Sequence, residues 1–180
     1  MKAWLNMILQ GGRVARFHTK PVLKEETVAA HSFLVAWVCA LVEQPRNPSA
    51  NLLLAALAHD LPEFELGDMP SPAKRRLNLG AAYRAEEANM FRIAGMPDYE
   101  RDLSKYEEEV LKFADNFAGY LKCVYELQMG NTLLLNTARR YREYIADQVQ
   151  LSKLLPVDRC TELLLLAPVP EWHYHVEEPQ

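Results

Sequence analysis

Between about Asp102 and Met129 the chain places Val110, Leu111, Phe113, Ala114, Phe117, Ala118 and Leu121 at helical spacing, and Gly130-Asn131 closes the run. An apolar stripe of that length is stable only when other elements cover it, so the rest of the fold has to be arranged around this helix. The remaining segments also read as helices. Thr27 is an N-cap for Val28 to Val42, which ends near Pro45, and Ser49 caps Ala50 to about Leu66, stopped by Gly67. Ser71-Pro72 starts a short helix, Ala81 to Ala94 follows with Gly95 behind it, and Thr132 to Leu155 runs up to Pro156. Glu107-Glu108-Glu109 is read as a solvated face. Runs alternating with period two are almost absent, so sheet is not expected. The expectation is one all-α domain over residues 1–180, with an irregular tail at 168–180.

Composition narrows the functional classes. Of the 180 residues 49% are apolar and 24% charged, ordinary for a globular protein and unlike a disordered one. The net charge of −4 and a pI near 5.8 give no footprint for a nucleic acid polymer. No stretch reaches the roughly 18 apolar residues of a membrane helix. Met1 to Leu9 carries a charge and a short apolar stretch, but Asn6 interrupts it and Gly11-Gly12 reads as the end of a first helix, not as a cleavage site. Cys39, Cys123 and Cys160 sit in apolar helical contexts, as buried thiols of a reducing compartment do. A cytoplasmic location is expected, which for a phage-encoded chain means the host cytoplasm.

Four residues stand out against this background. His31, His59, Asp60 and Asp115 each lie in a helix pattern with apolar neighbours, where a charge is costly unless it is paired or bound to a metal. Two imidazoles and two carboxylates form a nitrogen–oxygen set suited to a borderline divalent cation, with positions left for water and a substrate oxygen. Taken singly, each has a plainer reading. A helical histidine is usually a hydrogen-bonded core residue, and Asp115 can pair with an arginine such as Arg139 or Arg140.

Together they form a pattern. A histidine, a His-Asp pair and a later aspartate resemble the HD-domain metal-dependent phosphohydrolases. The run from His59-Asp60 through Glu63, Gly67-Asp68 and Pro70 to Lys74 resembles the bacterial HD-domain 5′-deoxynucleotidases, as do Lys112-Phe113-Ala114-Asp115 and Tyr120-Leu121-Lys122-Cys123. Arg16-Phe17-His18-Thr19, followed by Thr27 to Ser32, is similar to related phage enzymes that remove triphosphate from dATP. The likeness spans about Arg13 to Glu126.

That resemblance implies an all-α HD bundle and a set of roles. His31, His59, Asp60 and Asp115 would be the ligands of one divalent transition metal (cobalt, manganese or zinc), with further magnesium or manganese accompanying the phosphates. Glu63, on the helix face of Asp60, would position or deprotonate the attacking water. Asp68 would orient the water or bind the sugar 3′-hydroxyl, and its plainer reading is a turn residue before Pro70. Arg16 would hold phosphate oxygens bidentately, Lys74 would add a point charge, and Phe17 and His18 would meet the substrate. Phe17 stands where a tryptophan is common, and Ala30 where a glutamate often precedes the first histidine. His173 and His175 are expected to be exposed or packing residues, and Trp4, Trp37 and Trp172 core or interface aromatics.

The implied activity is cleavage of the 5′ phosphoester of a small-molecule 2′-deoxynucleotide. The cations Arg16, Lys20, Lys74, Arg75 and Arg76 favour a deoxynucleoside triphosphate of the dATP type. The alternatives are a monophosphate-specific 5′-deoxynucleotidase and a non-catalytic nucleotide-binding HD module. The Leu163–Leu166 run is too apolar for a free tail; it should pack on the core or a second subunit, and a homo-oligomer is expected.

Overall fold

Side-chain caps fix the start of the two helices that frame the site. Helix α2 (Val28–Glu43) begins at Thr27, whose Oγ1 accepts the Ala30 amide at 3.3 Å. Helix α7 (Lys105–Gln128) begins at a Ser104–Glu107 capping box, in which each side chain accepts the other residue's amide. Glu107 therefore belongs to a helix terminus, where it also accepts Ser49 Oγ at 2.6 Å, and Glu109 accepts Ser152 Oγ. Glu108 is exposed, as a solvated face would have it, while Glu107 and Glu109 are half-buried and each also takes a donor from a neighbouring segment.

The computed structural model describes residues 2–170. Around α2 and α7 the chain arranges α1 (Ala3–Gly11), α3 (Ala50–Ala58), α4 (Glu63–Leu66), α5 (Ser71–Arg76), α6 (Gly80–Ala94), α8 (Leu135–Leu151) and α9 (Val157–Leu166). The expected all-α architecture holds, with one addition. Strands β1 (Ala15–Arg16) and β2 (Glu26–Thr27) form a two-residue antiparallel pair, with Ala15 opposite Thr27 and Arg16 opposite Glu26. A ladder this short leaves no alternation to read in the sequence, and it delivers Arg16 to the start of α2.

Helices α2, α3, α7 and α8 pack against one another around Val35, Val38, Val110, Phe113, Ala114, Tyr120 and Ile145, all essentially inaccessible to water. The three cysteines are free and buried. Leu163 and Leu164 pack into this core, while Leu165 and Leu166 face outward. Trp4 and Trp37 are exposed, so neither is a core aromatic. Residues 168–170 carry no regular structure, and Trp172, His173 and His175 lie outside the described residues. Among the described residues no helix is long and apolar enough to cross a membrane.

Three helix boundaries differ from expectation. The 50–66 segment breaks in two, because Pro62 has no amide to continue the ladder. Leu61 N instead reaches Ala58 O at 2.9 Å, and Glu63 N reaches Asp60 O at 3.1 Å. His59 and Asp60 thus occupy a tight turn between α3 and α4. Helix α5 starts at Ser71 with Pro70 ahead of it, so Ser71 is inside the helix and caps nothing. Helix α8 stops at Leu151, where Ser152 Oγ accepts the Leu154 and Leu155 amides at 3.1 and 2.9 Å and turns the chain.

The His59–Asp60 turn is buttressed from the other side by α1. At Gly11 an added Cβ would sit 2.5 Å from the Leu61 carbonyl oxygen and 2.9 Å from Leu61 Cα, so only glycine lets α1 cross the turn this closely. Met7, Ala58, Leu61, Met90 and Phe91 form a second small core around that crossing. Gly11→Ala should cost about 1–3 kcal/mol of unfolding free energy through overpacking against backbone that cannot yield. Denaturant melts read this directly, and an unchanged midpoint would mean that α1 does not seat on the turn.

Candidate active site

Three helical elements and the short ladder deliver the chemistry to one point. His31 comes from the first turn of α2 and is wholly buried. His59 and Asp60 come from the turn after α3, and Asp115 from the middle of α7. His31 Nε2 lies 2.9 Å from Asp115 Oδ1 and 3.7 Å from Asp60 Oδ2. His59 Nε2 lies 3.3 Å from Asp60 Oδ2 and 3.9 Å from Asp115 Oδ1. Donor atoms of His31, His59 and Asp115 all fall within 4.8 Å of one another.

The tautomer of His59 is set by its surroundings. Nδ1 sits 2.9 Å from the Ala56 carbonyl and donates to it, which turns Nε2 toward the carboxylates. There Nε2 is buried with no hydrogen-bond partner of its own. An unpartnered buried nitrogen facing two carboxylates is the signature of a donor set made for a cation. At ligand distances of roughly 2.0–2.2 Å, separations of this size suit a single divalent ion. His31, His59 and Asp115 therefore fit a metal, with Asp60 Oδ2 beside both imidazoles.

Arg16 closes the cluster. Its Nη1 donates to Asp60 Oδ2, its Nη2 is 3.9 Å from Asp115 Oδ1, and its Nε is 3.7 Å from Glu26 Oε2. Burial disfavours this guanidinium's charge, but Asp60 and Asp115 more than offset that, and its pKa rises further above its ordinary value. The same fields act in reverse on the acids. Burial alone would raise Asp60 and Asp115; the charges of His59 and Arg16 on the first, and the hydrogen bond from His31 with His59 close by on the second, hold both below the carboxylate range. His59 shows the complementary shift. Burial would lower it, and Asp60 and Asp115 carry it well above the usual imidazole value.

Glu63 behaves differently. It is 3% exposed and its Oε2 has no partner, so burial, followed by the negative charge of Asp60, pushes its carboxyl up to about 9. Once ionised, such a group is a far stronger proton acceptor than an ordinary glutamate. It projects from the first residue of α4, not from one helix shared with Asp60, and it is deeply buried where the plainer reading expected exposure.

The flanks of the cluster come from two loops. His18 Nδ1 lies 3.6 Å from Asp68 Oδ2, so the loop after β1 and the loop after α4 meet through these two side chains. Phe17 is half-buried, with its ring against the main core. Lys74 Nζ sits 3.8 Å above the ring of Tyr83, whose hydroxyl donates to the Gly67 carbonyl at 2.6 Å. Tyr83 thus fixes both Asp68's neighbour and Lys74, a role no local pattern in α6 announces. Glu26 was also missed. Burial raises its pKa, and the signal that places it is the cross-strand register opposite Arg16, visible only once the ladder is known.

A helical bundle that gathers a histidine, a His-Asp pair and a distant aspartate defines an HD-domain phosphohydrolase. A family model described as 5′-deoxynucleotidase YfbR-like matches residues 3–156, and the chain belongs to that family, whose members are hydrolases acting on deoxynucleotides. A 5′-deoxynucleotidase of Citrobacter koseri and the 5′-deoxynucleotidase YfbR of Salmonella arizonae are each 28% identical over 178 residues, covering 87% of this chain and 84% of theirs. Among solved structures, the cyanophage S-2L HD phosphohydrolase DatZ, bound to dA and one catalytic Zn2+ ion, superposes with a TM-score of 0.71. It shares 20% identity over 89% of this chain and 92% of its own. The PH0347 protein of Pyrococcus horikoshii has a TM-score of 0.62 at 21% identity, over 90% of this chain and 94% of its own. Both likenesses carry the fold.

Removing Arg16 tests the electrostatic account. In chelator-treated protein Arg16→Met leaves Asp60 and Glu26 without their cation, and should destabilise the fold by about 3 kcal/mol. An unchanged thermal midpoint would mean that the guanidinium does not hold the acids together.

Proposed function

We propose that this chain is a divalent-metal-dependent 5′-deoxynucleotidase that hydrolyses the 5′ phosphoester of a 2′-deoxynucleoside monophosphate. The observation that carries the reading is the convergence of His31 Nε2, His59 Nε2, Asp60 Oδ2 and Asp115 Oδ1 beside the Arg16 guanidinium. Those four residues would hold the cation, zinc as in the DatZ structure, or manganese or cobalt. When bound, such an ion polarises a phosphoryl oxygen and makes water more acidic.

The chain's own residues do the rest. Arg16, close to both acids, receives two phosphoryl oxygens and neutralises the charge that grows as the ester breaks. In its ionised form Glu63 accepts a proton from the attacking water. The water oxygen bonds to phosphorus, the P–O5′ bond breaks, and the proton held on Glu63 is available to O5′ of the departing deoxynucleoside. Asp68 orients the water or binds the 3′-hydroxyl, while His18 lies within reach of the phosphate and Phe17 of the sugar. Lys74, seated on Tyr83, adds a positive charge on the phosphate side.

The substrate form follows from which cations face the acids. Among the described residues Arg16 is the cationic side chain within ion-pair distance of Asp60 and Asp115 apart from the two histidines. Lys20, Arg75 and Arg76 are exposed, as a solvated surface would have them. One guanidinium suits one phosphoryl group, and the YfbR-like family and its named relatives support the monophosphate. A triphosphohydrolase of the dATP type is the second reading, favoured by Lys74-Arg75-Arg76 on α5 and expected to release triphosphate.

Incubation with dAMP, dATP and their ribonucleotide counterparts under manganese, cobalt, zinc or magnesium separates the two by product. Phosphate from dAMP alone is the expected result; triphosphate from dATP alone would overturn the monophosphate reading. Glu63→Gln run in parallel should lower kcat by about 10²–10⁴-fold with bound metal retained, and undiminished turnover would remove Glu63 from its role.

A further inference from the structure

The last turns of helix α7 and the turn that follows it carry a second buried polar cluster, away from the four candidate ligands. Lys122, Glu126 and Asn131 are 6%, 0% and 6% exposed. Glu126 accepts four hydrogen bonds: from the Leu23 amide at 2.7 Å, the Lys24 amide at 3.0 Å, Lys122 Nζ at 2.7 Å and Asn131 Nδ2 at 2.7 Å. Lys122 Nζ also donates to the Lys24 carbonyl, and Asn131 Nδ2 to the Pro21 carbonyl at 2.8 Å. Every one of these backbone groups belongs to the Phe17–Glu25 connection between β1 and β2.

That connection carries the residues assigned to the substrate. Phe17 stands at φ 56°, a left-handed conformation costly for an aromatic residue, and such strain persists only where surrounding contacts hold it. Within the loop itself, Lys20 N binds Phe17 O at 2.8 Å and Val22 N binds Lys20 O at 3.0 Å. The strained end is thereby tied to the segment that Glu126 grips. Lys122 and Glu126 lie seven and eleven residues beyond Asp115, near whole numbers of helical turns, so one face of α7 presents both Asp115 and the anchor. A packing role alone would be served by apolar side chains at these positions. A satisfied carboxylate that binds two consecutive loop amides specifies where the loop sits.

We propose that Glu126, with Lys122 and Asn131, is the positioning centre that fixes the Phe17–His18 wall against the metal cluster and so sets affinity for the nucleotide. The role rests on the deoxynucleotidase reading above, but the anchoring itself does not. Glu126→Gln keeps size and one acceptor while turning an amino group toward donors. It should raise KM for dAMP (or for dATP, should that be the form cleaved) by about 10-fold, with kcat changed much less and bound metal per chain unaltered. His18→Ala should raise KM in the wild-type background and add little in the Glu126→Gln background, because the loop is already displaced. Hydrogen exchange at the Leu23 and Lys24 amides should quicken.

Ser152→Ala, which removes the bond to Glu109 elsewhere on α7, gives a comparison of similar kind that should leave KM alone. Where Glu126→Gln does not fold, Asn131→Ala releases the Pro21 carbonyl and removes one of the two donors to Glu126 Oε2, leaving the Leu23 amide as the other, and is scored identically. Unchanged KM, or additive losses with His18→Ala, would overturn the positioning role. Should the wild type cleave no deoxynucleotide, the functional reading fails separately, and exchange at Leu23 and Lys24 still decides whether Glu126 anchors the loop.

Discussion

Two carboxylates brought against two imidazoles, with a buried guanidinium to balance them, is the constraint on which the rest of this structure depends. Asp60, Asp115 and Glu26 come from three different elements, and none has an apolar reason to be where it is. Together with His31, His59 and Arg16 they form one cluster, in which His59 and Arg16 help hold Asp60 and Asp115 below the carboxylate range while those two acids raise His59 and Arg16 in return. Such an arrangement requires the helices to meet at a fixed point. The fold meets that demand with well-capped starts for α2 and α7 and with Gly11, which lets α1 brace the turn that carries His59 and Asp60.

Much of this was legible in the sequence. The long stripe of α7, the Thr27 and Ser49 caps and the Gly95 terminator are local signals, and local signals survive folding because short-range geometry dictates them. His31, His59, Asp60 and Asp115 were legible for another reason. A charge at an apolar helical position demands compensation wherever the chain goes, so its presence points to a partner before the partner is known.

What the sequence did not disclose depends on contacts between distant segments. The β1–β2 ladder is too short to alternate, yet it sets Arg16 opposite Glu26. Pro62 marked a break in the 50–66 helix that apolar spacing concealed, and that break puts His59 and Asp60 on a turn where both side chains face inward. Tyr83, Lys122, Glu126 and Asn131 look unexceptional along the chain. Tyr83 holds the loop after α4, and the other three hold the loop after β1, so the site has a supporting layer on each side that only the assembled fold exhibits.

Titration of chelator-treated protein with cobalt or zinc, followed by calorimetry and by the cobalt visible spectrum, tests the central claim most directly. One ion per chain should bind in a mixed nitrogen–oxygen environment, and binding should be lost in His31→Ala and in Asp115→Asn while both variants stay folded. Failure of the wild type to bind a divalent ion, or binding undiminished in both variants, would contradict the account.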